Sequence, residues 1–535
     1  MKFVNVLFVV LLYCTHLSAQ VTLPNNLYFT HIGVEDGLCQ NTVCCILQDH
    51  LGFIWLGTKD GLTRYDGYRF RVFKHDAADP MSIGNNFIRV LYEDADGLIW
   101  IGTNVGVYIY NPETENFRKF DVVTERGDVI SREVSSIKCD SSGDLWIGVN
   151  WQGVFRYDRR DESLELYEPV PGDTTSLSSV HVWDLCFDGD GNLWVGSQNG
   201  GLDRYDRETD RFVRHRLKGL SDVSRIVLDK QNQLLLGTMK DGLFSFNPYM
   251  GTCQPLLLDS GHKDLFVRAI FVRNSREVVV GTENGIYIYD CVTRKTRHVN
   301  QELGNPYSLS CKAVYSIYCD KEGALWIGTY FGGVNYLPPS SSLIFDKFYP
   351  IGHSDRLSGK AVREFVRDEN GIIWIGTEDQ GLNRFDPVSG KFTHYNSRNS
   401  GLSCDNVHGL CVDGDRLYIG TFFGGFNIMD LKTNEIVALG SQMLPDDSVF
   451  SIFRDHNGRI WVGLTYGLCL FHPEDGAFEL VREIPENLFI YDIYQGDDGI
   501  IYFAAYNRGV ITYNPHTGKW GQVESGDEGL LKHVV

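Results

Sequence analysis

Carboxylates are the first residues in this sequence whose type and spacing could do chemistry. Two of them facing one bond would supply general acid and base. Here their commonest setting is an Asp-x-x-Gly segment that returns along the chain, beginning at Asp49, Asp94 and Asp140. An acid that recurs at one motif position suits a turn, where it accepts local backbone N–H groups and glycine takes a positive φ. One copy, Asp188-Gly-Asp190-Gly-Asn192, spaces its oxygens as a calcium loop does. It lacks the downstream bidentate glutamate of such a loop and sits where other copies have a plain turn. The 15 histidines are scattered, and no Cys/His spacing resembles a zinc site. There is no H-E-x-x-H, no phosphate-binding loop of the Walker type and no G-x-S-x-G. The expectation is a protein with no catalytic residues, no metal site and no cofactor.

Binding chemistry is better represented. Shortly after a recurring Trp-Ile-Gly-Thr motif, several copies place aromatic residues: Trp151, Tyr330 and Phe331, Phe422 and Phe423, Tyr466, and Tyr506. Other copies place polar residues there, such as Lys59-Asp60 and Gln198-Asn199. Sugar rings present apolar C–H faces and outward hydroxyls, so aromatic platforms beside amides and charges match them. The alternative is that these rings pack between repeats or plug a channel. A basic cluster, Arg294-Lys295-Thr-Arg297-His298, could attract a sulfated or uronic-acid glycan. It falls on an expected outer strand, where charges ordinarily blunt an edge.

The elements that must position these residues are legible from internal repetition. The segment from Asp49 through Trp55, Gly57 and Gly61 to Tyr65-Asp66 recurs around Gly102, Gly148, Gly196, Gly237, Gly281, Gly328, Gly376, Gly420 and Gly463, and in eroded form at Tyr502-Phe-Ala504. The spacing averages about 45 residues, the length of a four-stranded propeller blade. Each copy parses into a short apolar strand such as Val43–Gln48, the Asp turn, a continuous apolar strand such as Ile54–Thr58, a glycine turn, a third strand ending in Tyr65-Asp66, and a more polar fourth strand. A strand apolar on both faces must be covered on both faces. The predicted fold class is therefore all-β: tandem β-propellers of four-stranded antiparallel blades. One ring holds roughly 4–8 blades, so eleven copies need two rings.

The chain's start, Leu27–Ile32, resembles Leu343–Phe348 before the eighth copy, and a serine-rich stretch from Leu337 to Leu343 interrupts the pattern. This places a seven-bladed propeller over residues 20–338 and an incomplete second one over 343–535, with about four blades and a fifth begun at Leu530–Val535. The strand at 27–32 is expected to close the first ring by joining its last blade.

Composition narrows the setting. The chain has 535 residues, 43% hydrophobic and 13% aromatic, with a formal charge of −20. That is a packed, acidic protein, and it lacks the positive footprint that nucleic-acid backbones demand. Residues 1–19 read as a cleaved signal peptide, with Lys2, an apolar core from Phe3 to Tyr13 and Ala19 before the cut. That core is too short to span a bilayer. Export permits disulfides, but cysteines recur at strand positions (Cys139 with Cys319, Cys186 with Cys411) and read as small core residues.

The run from Phe29 through Gly37-Leu38, Asn41-Thr-Val43, Gln48-Asp49 and Trp55-Leu-Gly57-Thr to Gly61-Leu-Thr-Arg-Tyr65-Asp66-Gly67 resembles the start of hybrid two-component sensors with a two-component-regulator propeller ectodomain. The resemblance covers residues 27–535. It implies a periplasmic sensor that binds oligosaccharide fragments, controls polysaccharide-utilisation genes and self-associates as a dimer. Family members continue into an Ig-like domain, a membrane helix and a histidine kinase. None is present here, so membrane attachment would come only through missing C-terminal parts and this chain would transfer no phosphate. The alternatives are a stand-alone glycan-binding or protein-interaction scaffold, or a propeller-fold glycan lyase or glycosidase.

Overall fold

Each repeat folds as the alternation of its residues dictates. In the first, Val43–Gln48, Ile54–Thr58, Gly61–Tyr65 and Phe70–Phe73 form one antiparallel sheet in chain order. The computed structural model describes residues 22–217, 220, 222–257, 265–339, 347–349, 356–439, 444–484, 488–506 and 508–523. The signal peptide expected over residues 1–19, most of the serine-rich stretch and the strand expected at Leu530–Val535 lie outside the described residues. Within them there are eleven four-stranded antiparallel sheets. They divide into two units, residues 1–346 and 347–535.

The first unit holds seven sheets. Their inner strands, Val43–Gln48, Ile88–Glu93, Val134–Cys139, Val182–Phe187, Arg225–Leu228, Val267–Val272 and Val314–Cys319, pack each on the next, and the seventh packs back on the first. Thr30–Ile32 supplies the outermost strand of the seventh sheet, paired antiparallel with Val334–Leu337 so that Thr30 faces Tyr336 and Ile32 faces Val334. The ring is thus closed by the chain's own beginning, and the sheet edge there is covered. Arg297 reinforces this start by donating to the carbonyls of Pro24 and Asn25, both at 2.6 Å. One cation of the basic cluster is therefore committed to structure.

Three residues of the repeat explain its stability. The tryptophan is buried, and its indole N–H donates to the aspartate six residues earlier. This holds for Trp55 with Asp49 (2.8 Å), Trp100 with Asp94 (2.8 Å), Trp194 with Asp188 (2.8 Å) and Trp374 with Asp368 (2.9 Å). The other oxygen of that aspartate accepts turn N–H groups, as Asp188 does from Asp190 and Asn192. The calcium-like run is thus the same turn as its counterparts. The motif threonine donates to the carbonyl of the next turn glycine, Thr58 to Gly61 at 2.8 Å and Thr329 to Gly333 at 2.9 Å. The motif glycine is required by proximity: a Cβ on Gly102 would lie 2.6 Å from Val134 Cγ1, the first inner-strand residue of the next blade.

One buried acid breaks the local pattern and gives a test. Asp203 is fully buried, and its Oδ2 accepts the Ser178 N–H (2.9 Å) and hydroxyl (2.6 Å) while Oδ1 has no partner. Burial pushes its pKa up to about 6, with the Ser178 bonds opposing. The same register is held by Asn335, Asn383 and Asn427, which accept the N–H of Ser310, Ser358 and Ser403 at 2.8, 2.8 and 3.0 Å. The folded state keeps the Asp203 proton to higher pH than the unfolded chain does. Its contribution is therefore full below about pH 4 and is lost as pH rises through about 6. Asp203→Asn should stabilise the protein by about 2 kcal/mol at pH 7.5 and by little at pH 4. Urea denaturation at the two pH values checks this, and equal effects at both would contradict it.

The second unit holds four sheets with inner strands Val362–Arg367, Val407–Asp413, Val449–Arg454 and Ile490–Gln495, each packed on the next. Val407, Val449 and Ile490 are fully buried against the preceding blade's glycine, whereas Val362 is 46% and Phe365 70% exposed. Within the second unit no described sheet precedes Val362–Arg367. All twelve cysteines among the described residues are free, and Cys186, Cys411 and Cys469 are buried.

Candidate functional site

The site begins with a defect repeated in the ladder. In ten of the eleven blades the inner strand slips register after its first residue, as between Val43 and Cys45 or Val449 and Ser451. Such a bulge leaves one residue unpaired and re-aims its side chain. In the first unit those residues are Cys44, Arg89, Ser135, Trp183, Arg268 and Tyr315, and in the second Arg363, His408, Phe450 and Tyr491. They vary from blade to blade, while the valine or isoleucine before them hardly does.

The turn after each second strand comes to the same end of its blade. It is tied to the entry of the inner strand: Lys59 N–H donates to Thr42 O (3.2 Å), Tyr330 N–H to Ala313 O (3.0 Å) and Phe422 N–H to Asn406 O (2.8 Å). Bulge and turn therefore meet around each unit's axis on one face.

In the first unit this face mixes cations with rings. Arg89 lies 4.0 Å over Phe87, bonds Asn104 Oδ1 at 2.7 Å and pairs with Glu133 at 3.3 Å. Arg268 lies 3.8 Å over Phe266 and 4.6 Å over Tyr315, and pairs with Glu283 at 2.6 Å. Tyr330 is half-buried, with Tyr315 at 5.1 Å, Phe331 at 4.1 Å and the Lys59 ammonium 4.1 Å from its centroid. Across the ring, Trp151 meets His181 edge-on at 4.1 Å, and His181 Nδ1 is 3.2 Å from Asn150 Oδ1.

In the second unit the face is almost wholly aromatic. Phe423 touches Phe422 (4.1 Å), which meets His408 (5.6 Å); His408 meets Phe450 (4.2 Å), and Phe450 meets Phe489 (4.6 Å) and Tyr491 (5.2 Å). Phe489 continues to Tyr506 at 5.8 Å. Burial pushes the His408 pKa down to about 4, aided by Arg363 and opposed by Glu378, so the ribbon carries a neutral imidazole at pH 7. Tyr466 stands apart, exposed, its N–H on Asp446 Oδ2 at 3.1 Å.

The structure thus brings Tyr330 and Phe331 together in one unit, and Phe422, Phe423 and Tyr506 in the other, while Trp151 and Tyr466 occupy separate blades. Reading the turns alone missed the bulge residues His408, Phe450 and Tyr491, and Phe489 beside them. The signal was there: the second inner-strand position varies among copies that otherwise agree.

Two of these rings sit in a costly backbone. Trp151 has φ 71° and Phe423 φ 68°, the left-handed region, and they are 66% and 71% exposed. The same loop position in the fourth blade is Asn199, φ 60°, the residue type that tolerates this conformation. Bulky side chains pay about 1–2 kcal/mol for it.

Four-stranded blades packed each on the next, their recurrent carboxylates bound up in turns and their bulges and turns on one face of each unit, define the class: this is a β-propeller protein. The family described as Two component regulator propeller matches residues 37–60, 82–105, 176–199, 308–331 and 443–466. Each match runs from the approach to an inner strand up to the turn that bears the face residues. A stretch of 59 residues is 39% identical to Histidine kinase P4 of Formosa agariphila, covering 11% of this chain and 4% of that protein. The fold is similar to the extracellular domain of the hybrid two component system BT3049 from B. thetaiotaomicron, with 23% identity over 93% of this chain and 78% of that one and a TM-score of 0.61. That of BT4673 from the same organism is similar at 20% identity, 94% and 74% coverage and a TM-score of 0.52. Among the described residues no helix is long and apolar enough to cross a membrane.

Proposed function

We propose that this chain is the exported, ligand-sensing propeller region of a two-component regulator, working in the periplasm. It binds oligosaccharide fragments on the bulge-and-turn face of a unit, and occupancy controls polysaccharide-utilisation genes through a histidine kinase. The observation that carries the reading is conformational. Trp151 and Phe423 are held exposed in the left-handed region although asparagine occupies the equivalent loop position in another blade. A strained, solvent-facing aromatic contributes little to folding, and strain of this kind clusters where ligands are held. A flat ring such as Trp151, with His181 against it and the Asn150 amide bonded to that imidazole, suits the alternating C–H faces and hydroxyls of a sugar.

Calorimetric titration of the protein with a panel of neutral and acidic oligosaccharides tests this, with mass analysis of each sugar after long incubation. Binding with the sugar recovered intact is the expected result. Cleaved sugar would make the protein an enzyme, and an unresponsive panel would overturn saccharide sensing.

A further inference from the structure

The axial channel of the first unit gathers positive charge that its own carboxylates do not fully answer. Arg89 and Arg268 each have a glutamate partner, Glu133 and Glu283. Lys59 and Arg225 have none within ion-pair distance among the described residues. Lys59 rests its ammonium on the rings of Tyr330 (4.1 Å) and Phe87 (5.8 Å). Arg225 opens the inner strand of the fifth blade, donating Nε to Arg268 O (2.7 Å) and Nη1 to Ser224 O (2.8 Å). The carboxylate acting on it through space is Asp184, whose oxygens already accept from Ser136 Oγ (2.9 Å) and from the N–H of Leu185 (2.9 Å) and Ile226 (3.1 Å).

These residues come from different blades, yet their fields converge. Arg89, Lys59, Arg268 and Arg225 all act on Cys44, although burial still pushes that thiol up to about 11 and keeps it neutral. Arg225 likewise feels Arg268, Arg89 and Cys44, and burial pushes its own pKa down. Blades one, two, five and six can be mutual neighbours only across the axis. On the same wall, at the bulge of the fourth blade, the Trp183 indole N–H is buried with no acceptor. A buried donor left unmade costs about 1–3 kcal/mol, so its persistence calls for an explanation. Four cations facing three carboxylates, with an idle indole donor, make a local positive well in a chain of charge −20.

We propose that the axial channel of the first unit binds an oxyanion, the carboxylate or sulfate of an acidic saccharide, between Lys59, Arg225 and the Trp183 N–H. That the oxyanion arrives on a sugar rests on the proposed function; that the channel takes an oxyanion does not. Arg89 and Arg268, fixed by their glutamates and rings, add field without needing to move.

The test is calorimetric titration with sodium glucuronate, sodium sulfate and glucose, at low salt and again at high salt. Both anions should bind at low salt, more weakly at high salt, and glucose should not compete with sulfate. Lys59→Met should weaken both anions by about 10-fold or more, the loss of one charge-assisted bond. Arg225→Met risks the fold, so Trp183→Phe is the second variant: it keeps the ring, removes the N–H and should weaken both anions several-fold. No heat from either anion, or anion binding indifferent to both substitutions, would overturn the proposal. Anion binding lost in both variants upholds it even if the oligosaccharide panel is silent, in which case saccharide sensing alone falls.

Discussion

Trp55→Ala should destabilise the first unit by about 3–5 kcal/mol, the usual cost of removing a buried tryptophan. Trp55 is fully buried, with Phe73 stacked at 5.8 Å, Tyr110 edge-on at 5.0 Å and the Arg64 guanidinium over its face at 5.7 Å. Its loss leaves a cavity between the first and second blades. It also leaves Asp49, itself buried, without the N–H that its Oδ2 accepts. Trp55→Phe separates the two effects: it keeps most of the packing and should cost about 1–3 kcal/mol, the penalty for a buried acceptor unmade. Urea denaturation, with hydrogen exchange of the Ile54–Thr58 amides, measures both. A Trp55→Ala midpoint within error of the wild type would contradict the account.

Gly328→Val should open the ring. Gly328 is where the seventh blade meets the first: a Cβ there would fall 2.8 Å from the carbonyl oxygen and 2.9 Å from the Cβ of Val43. Backbone cannot retreat as a flexible side chain can, so the cost should be about 1–3 kcal/mol or more. It is concentrated at the seam that Thr30–Ile32 also closes. The expected signature is faster hydrogen exchange of the Thr30–Ile32 amides and new proteolysis close to them. Unchanged exchange there would mean that this glycine does not hold the seam. The eleventh copy is instructive, since Ala504 stands at the glycine position and no further described inner strand packs against it.

Blade number, strand order and the bounds of the first inner strand, Val43–Gln48, were legible in the sequence because the repeat is strict where packing is strict. Gly57 and its counterparts could not vary without striking the next blade, and Trp55 could not vary without stranding Asp49. The partnership of that tryptophan and aspartate was not legible, because spacing alone does not show that an indole six residues on returns to the turn. The candidate site was half legible. Trp151, Tyr330 and Phe331 in the first unit, and Phe422, Phe423, Tyr466 and Tyr506 in the second, lie in turns that propeller geometry places on one face of each unit. The rings beneath them, Phe450 and Tyr491, and the channel residues Arg89, Trp183 and Arg268, depend on a β-bulge. A bulge is a register event between strands, and composition does not reveal it. Arg225 and Lys59, from the fifth and first blades, act on the same thiol, Cys44, only because the ring closes.

The most direct measurement of the central claim, that the exposed rings on each unit's bulge-and-turn face exist to hold a ligand, is a paired one on Phe423→Asn and Trp151→Asn. Asparagine is at home in the left-handed conformation, so stability should hold or rise by up to about 1 kcal/mol while affinity for the bound oligosaccharide falls. A substitution that costs stability and leaves binding untouched would show these rings to be structural and would contradict the account.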